Sequence, residues 1–90
     1  MGIRQRLWAK TVKRRLLLDL GARCARCPAT ATLEFDCIEP RGHTHHALGY
    51  ADRMAFYLRQ FRSGNLQLLC NRCHRIKTAE DVLIVISHED

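Results

Sequence analysis

Two pairs of cysteines dominate the chemistry open to this 90-residue chain, Cys24-Ala25-Arg26-Cys27 and Cys70-Asn71-Arg72-Cys73. A C-x2-C turn brings two thiolates to one ion while the surrounding backbone amides soften their charge, and two such turns complete a tetrahedral shell. One pair alone is weak evidence; two are strong. The expectation is a single structural zinc ion on Cys24, Cys27, Cys70 and Cys73, with the long stretch between the pairs as an insertion. A redox dithiol is the rival, but neither pair ends a strand in a β-α-β pattern, as a thioredoxin-like motif does. A site built from Cys24, Cys27 and two of His43, His45 and His46 fails on spacing and orphans Cys70 and Cys73, because paired imidazole ligands are usually separated by about three to five residues.

A second set of donors lies between and beyond the cysteines: Asp36, His43, His45, His46, Asn65 and His74. Carboxylate and imidazole suit a harder, catalytic divalent cation, and a neutral imidazole is matched to abstracting a proton near pH 7. The fifth cysteine, Cys37, reads as a small apolar residue on a strand. His88 has no motif around it.

The order and spacing of these residues resemble the HNH endonuclease family. Its small zinc-bearing members combine a C-x2-C pair, an Asp-His pair on a strand followed by Ile-x-Pro, and a closing Asn-Leu-x-x-Leu-Cys-x-x-Cys-His-x-x-Lys-Thr. The closing run here is Asn65-Leu66-Gln67-Leu68-Leu69-Cys70-Asn71-Arg72-Cys73-His74-Arg75-Ile76-Lys77-Thr78, and the resemblance covers most of residues 21–80. It implies an α+β chain with a ββα-metal (His-Me finger) core, in which the strand around Phe35 pairs with the strand around Leu68 and the helix carrying His74 packs across them. Asp36 and His74 would hold one divalent cation (Mg2+, Mn2+, Ni2+ or Zn2+), and Asn65 would orient the loop or a base by hydrogen bonds. Asn65 reads equally well as a turn residue capping the second strand. The chain departs from the family where the general-base histidine should follow Asp36, because Cys37 stands there. A thiol is a poor base, and a thiolate prefers a soft metal. The proton acceptor is then sought in the loop, His46 first, His45 next and His43 third.

These groups need elements to hold them. Ile3, Leu7, Trp8, Val12, Leu16 and Leu20 recur at helical spacing with Gly21 at the C-cap, which predicts an amphipathic helix over residues 3–20. Residues 30–38 favour a strand ended by Pro40 and Gly42, and a His-rich loop leads into a second, inserted helix from Tyr50 to Phe61. Ser63-Gly64-Asn65 is turn chemistry before a short strand, Leu66 to Leu69, and a last helix runs from the second cysteine pair to about Leu83. Residues 82–86 can extend that helix or form a strand. One domain is expected over residues 1–90, with a basic helix in 1–20, a zinc-stapled core in 21–83 and a tail in 84–90, since a chain this short buries little surface and gains from a metal staple.

Fifteen Lys and Arg against nine Asp and Glu give a net charge of +6, which points to a polyanionic partner through counterion release. The first helix carries Arg4, Arg6, Lys10, Lys13, Arg14 and Arg15 with no acid before Asp19, and Arg72, Arg75 and Lys77 add to the basic set. Together they are expected to grip a DNA backbone with weak sequence preference; the alternative is a solvated face that only keeps the chain soluble. No segment approaches the roughly 20 apolar residues of a membrane span. Asp19 interrupts the apolar run Leu16-Leu17-Leu18 and no small-residue cleavage site follows, so an uncleaved cytoplasmic chain is expected. Small stand-alone members of the resembled family are frequent in bacteriophage genomes, which implies phage DNA-processing or packaging proteins as further partners. The activity implied is metal-dependent hydrolysis of DNA phosphodiesters. A degenerate module that binds nucleic acid without cutting, or an accessory of a larger machine, is the alternative that Cys37 favours.

Overall fold

The computed structural model describes residues 2–40 and 48–88, with side chains as far as residue 81. His43, His45 and His46 lie outside the described residues. The order of elements is α1 (Ile3–Asp19), β1 (Leu33–Cys37), α2 (Tyr50–Arg62), β2 (Leu66–Cys70) and α3 (Asn71–His88). The chain is therefore α+β, with three helices around one two-stranded sheet. The strands pair antiparallel with Phe35 opposite Leu68 and Asp36 opposite Gln67, the pairing expected from the resemblance.

Side chains alternate across a strand, and here the alternation divides the molecule into two faces. Phe35 and Cys37 turn into the main core with Ala9, Val12 and Leu16 of α1 and Met54, Phe56 and Tyr57 of α2. Glu34 and Asp36 turn the other way, toward His74 and Lys77 of α3. The structure thus has α1 and α2 on one face of the sheet and α3 across the other. Residues 82–86, which the sequence leaves between helix and strand, continue α3.

Glycine ends both of the first two helices in the same way. After α1, Gly21 takes φ +89° and the amides of Gly21 and Ala22 donate to Leu18 O and Leu17 O. After α2, Gly64 takes φ +76° and the amides of Gly64 and Asn65 donate to Phe61 O and Gln60 O. This is the Schellman arrangement, which a residue without a Cβ enters most readily. It turns the chain from α1 into the first cysteine pair, and from α2 into β2.

The α1 stripe differs from its sequence reading. Val12 and Leu16 are buried as expected, but Ala9 joins them, while Ile3, Leu7 and Trp8 face solvent. Position 9 shares the face of 12 and 16, whereas 3, 7 and 18 form a separate apolar row about a half-turn of the helix away. In stability terms, Leu16→Ala should remove about 2–5 kcal/mol, whereas Ile3→Ser should stay within about 0.5 kcal/mol. Urea unfolding of the metal-loaded protein measures both, and equal effects would contradict this burial pattern.

Candidate metal centre and active site

The first cysteine pair is folded onto β2 by its backbone. Cys24 N donates to Ala29 O at 2.9 Å, closing the turn, and Ala25 N donates to Leu68 O at 2.8 Å. The second pair straddles the junction of β2 and α3, with Cys70 the last strand residue and Cys73 in the first helical turn. Leu69, fully buried, packs with Cys24 and Cys70 behind the cluster.

The four sulfurs all lie within 4.8 Å of one another, and Cys27 Sγ is 3.6 Å from Cys70 Sγ. A disulfide needs about 2.05 Å, so the thiols are not oxidised pairs. Around a tetrahedral ion with metal–sulfur bonds of about 2.3 Å, the sulfurs stand about 3.8 Å apart. The set fits a structural metal such as zinc. Among the described residues it is the one group of three or more His, Cys, Asp and Glu side chains gathered about a single point.

Within the cluster the four thiols are pulled in opposite directions. Burial pushes the Cys24 thiol up, but the amides of Cys70, Arg26 and Cys27 outweigh it and bring it down to about 6. The Cys73 amide at the start of α3 draws the Cys70 thiol down. Cys73 itself is pushed up to about 12 by its contact with Cys70 and by burial. The Ala29 amide draws Cys27 down, yet its neighbours Cys24 and Cys70 and its burial carry it up. Each pair thus has one sulfur prepared as a thiolate and one held back by negative neighbours. A dication removes that repulsion and releases the remaining protons.

Of the second donor set, Asp36 and His74 meet on the α3 face of the sheet. His74 is held between two carboxylates, with Nδ1 2.7 Å from Glu34 Oε1 and Nε2 3.4 Å from Asp36 Oδ1. If Nδ1 carries the proton and donates it to Glu34, the Nε2 lone pair faces a carboxylate oxygen. Two acceptors aimed at each other require a proton or a cation between them. Ligating histidines are commonly oriented by a carboxylate on their other nitrogen, and 3.4 Å is close to the separation of two ligands at about 2.1 Å on one ion. The structure thus brings Asp36 Oδ1 and His74 Nε2 face to face. Glu34, which the sequence reading did not single out, orients the ring. Its signal was position i and i+2 with Asp36 on a strand.

Asp36 is buried, and its other oxygen is already occupied. Oδ2 accepts from Gln67 Nε2 at 2.9 Å and lies 3.3 Å from Lys77 Nζ. Lys77 also donates to Cys37 O and to Asp81 Oδ2, each at 3.0 Å. This corrects the expectation that Lys77 grips DNA: its ammonium is turned inward and only 6% of the residue is exposed. Burial lowers its pKa, but the carboxylates of Asp81 and Asp36 more than offset that and the net shift is upward. Lys77 therefore stays charged through the neutral range, as the counter-charge of Asp36. The remaining basic residues of the expected set, Arg4, Arg6, Lys10, Lys13, Arg14, Arg15, Arg72 and Arg75, are all exposed, with Arg15 paired to Asp19 at 3.3 Å.

Asn65 is buried and its amide is fully employed. Oδ1 accepts from Glu39 N at 2.7 Å, and Nδ2 donates to Glu39 O at 3.1 Å and to Gln60 Oε1 at 2.9 Å. It pins the chain leaving β1 to the end of α2. Cys37 is buried on the core face, so its thiol does not stand beside Asp36 and His74.

Comparison with known proteins finds no matching family model, curated protein or solved structure. Among the described residues no helix is long and apolar enough to cross a membrane.

Two measurements follow from this geometry. Chelation of the bound metal should abolish the helical circular-dichroism signal and the cooperative melt, because structural-metal binding energy is largely folding energy; an unchanged melt would refute the four-cysteine centre. Lys77→Ala should cost about 3–5 kcal/mol by leaving the Asp36 carboxylate buried without its cation, while Arg75→Ala should fall within about 0.5 kcal/mol. Comparable losses for the two would show that Lys77 is not the buried partner described.

Proposed function

We propose that the chain is a metal-dependent HNH-type endonuclease that hydrolyses DNA phosphodiester bonds, with a ββα-metal core ordered by the four-cysteine zinc site. The observation that carries this reading is the approach of Asp36 Oδ1 to His74 Nε2 at 3.4 Å, with the other ring nitrogen held by Glu34.

Asp36 and His74 would hold the catalytic cation. Such a cation supplies Lewis-acid stabilisation of the charge that develops on the scissile phosphate and the leaving 3′-oxygen. Glu34 fixes the imidazole tautomer that exposes Nε2. Gln67 and Lys77 fix the second oxygen of Asp36 so that the first faces the ring. A loop imidazole, His46 ahead of His45 and His43, accepts the proton of the attacking water. Asn65 positions the chain between β1 and that loop through both groups of its amide. Exposed Arg and Lys side chains on α1 and at Arg72 and Arg75 neutralise backbone phosphates. This gives steep salt dependence and little sequence preference. Small stand-alone members of the resembled family are frequent in bacteriophage genomes, so the setting proposed is phage DNA processing or packaging in a host cytoplasm.

The burial of Cys37 in the core favours a second reading, a module that binds nucleic acid without cutting it. At the position of the family's general base the side chain points away from Asp36 and His74.

Plasmid nicking in Mg2+, Mn2+, Ni2+ or no metal separates the two. The nuclease reading expects nicking that needs a divalent ion and is abolished in His74→Ala. In His46→Ala it should fall by about two orders of magnitude or more, the usual size of a general-base contribution. Salt-sensitive binding with no nicking in any ion would leave the binding module standing.

A further inference from the structure

Ala9, Val12 and Leu16 take the inner side of α1 into the core, while Ile3, Leu7 and Leu18 stand 76%, 59% and 64% exposed on the opposite side. With Thr11 and Arg14 between them, these residues follow one another at steps of three and four, so they form a single stripe along about four turns of helix. At its middle lies an open hollow of about 290 Å³ lined by Leu7, Lys10, Thr11 and Arg14. Those positions are i, i+3, i+4 and i+7, the four side chains that make the hole for a knob from a second helix. The Thr11 hydroxyl is spent on Leu7 O at 2.9 Å, so the charged groups of Lys10 and Arg14 are what remains polar around the hollow.

Arg4, Lys10 and Arg14 flank or interrupt the stripe. None of the three has an ion-pair partner among the described residues, and the one acid of α1, Asp19, is paired with Arg15. Apolar side chains at the centre of a cationic sector offer nothing to a phosphate backbone. An exposed apolar patch rimmed by polar residues marks a contact with another macromolecule. Two copies of α1 laid face to face would set cations against cations, so the charge pattern opposes a second copy and selects a helix that is itself acidic.

We propose that this face of α1 docks an acidic amphipathic helix of a partner protein, with one apolar side chain of that helix seated in the hollow and its carboxylates on Arg4, Lys10 and Arg14. The docking goes beyond the nuclease reading and does not require it. One consequence does rest on that reading: the three cations are among those assigned to the DNA backbone, so partner and DNA exclude each other on α1. An acidic helix bound there weakens the hold on DNA without touching Asp36 or His74.

Fluorescence anisotropy of the metal-loaded chain tests the docking with a labelled acidic peptide of about three heptads, leucine at a and d and glutamate at e and g. A peptide of the same composition in scrambled order carries the same charge without the apolar stripe. The ordered peptide should bind about tenfold or more tightly than the scrambled one, and Leu7→Ser should remove about tenfold of that affinity, the worth of one buried leucine. Leu18→Ser, at the far end of the row, should weaken binding in the same direction, and neither change reaches the core. Binding of a labelled DNA duplex should stay within about twofold in both variants, which keep every charge, while excess ordered peptide should displace the duplex. Equal binding of the two peptides, or unchanged affinity in both serine variants, would reduce the contact to charge attraction and overturn the proposal. Self-association of the chain that is lost in Leu7→Ser would overturn it in favour of a second copy. Leu7-dependent binding to vesicles of anionic phospholipid, with no binding of the ordered peptide, would overturn it in favour of a lipid surface. Ordered-peptide binding with no duplex binding would sink the nucleic-acid reading and leave the docking; duplex binding with no preference for the ordered peptide would do the reverse.

Discussion

Four sulfur atoms within 4.8 Å of one another are the constraint from which the rest of this structure follows. Four thiols gathered so closely could hold a structural metal ion such as zinc. The cluster joins the turn after α1 to the junction between β2 and α3, so it links the two ends of the fold across 46 residues of sequence (70 − 24). The backbone reinforces the join through the Ala25 amide on Leu68 O. A two-stranded sheet is marginal alone in water, and here each face is covered by helices whose positions depend on that staple.

The same constraint sets the phase of α3. Cys73 faces the other three sulfurs, and one residue later His74 faces β1, where it meets Glu34 and Asp36. Three residues further, Lys77 returns to the same face and closes on Asp36, Cys37 O and Asp81. Rotating the helix to satisfy one of these contacts satisfies all of them. The four-cysteine cluster thus reaches into the first turn of the helix that carries His74, next to the residue that approaches Asp36. Asn65 plays the complementary part on the other side, holding the exit of β1 against α2.

Much of this was legible in the sequence, for identifiable reasons. Cysteine spacing reports metal ligation directly, because the turn geometry is local. Gly21 and Gly64 marked their helix ends because only a residue tolerant of positive φ closes a helix in that way. The expected pairing of Phe35 with Leu68 came from the resemblance and matches the register. What escaped the reading was non-local. The α1 helix carries two apolar rows, and periodicity alone does not say which one meets α2, so Ile3, Leu7 and Trp8 were placed inward with Val12 and Leu16. Lys77 counted as one more surface cation because its partner Asp36 is 41 residues away (77 − 36). Glu34 became readable only once the strand register put it on the face of Asp36.

The position of Lys77 also bears on how a cation would be held on the nuclease reading. A carboxylate that spends one oxygen on an ammonium and a glutamine offers only its other oxygen, so Asp36 is a single-point ligand of reduced charge. On that reading most coordination positions of a dication would be left to water and substrate. Such a site holds its ion weakly by itself and more firmly once a phosphate oxygen joins the shell. The carboxylate, the ammonium and the glutamine then act as a fixed frame that aims one oxygen, and the substrate completes the site that acts on it. On that reading Lys77 would act on the cation site from inside the fold, where its ammonium occupies one oxygen of Asp36.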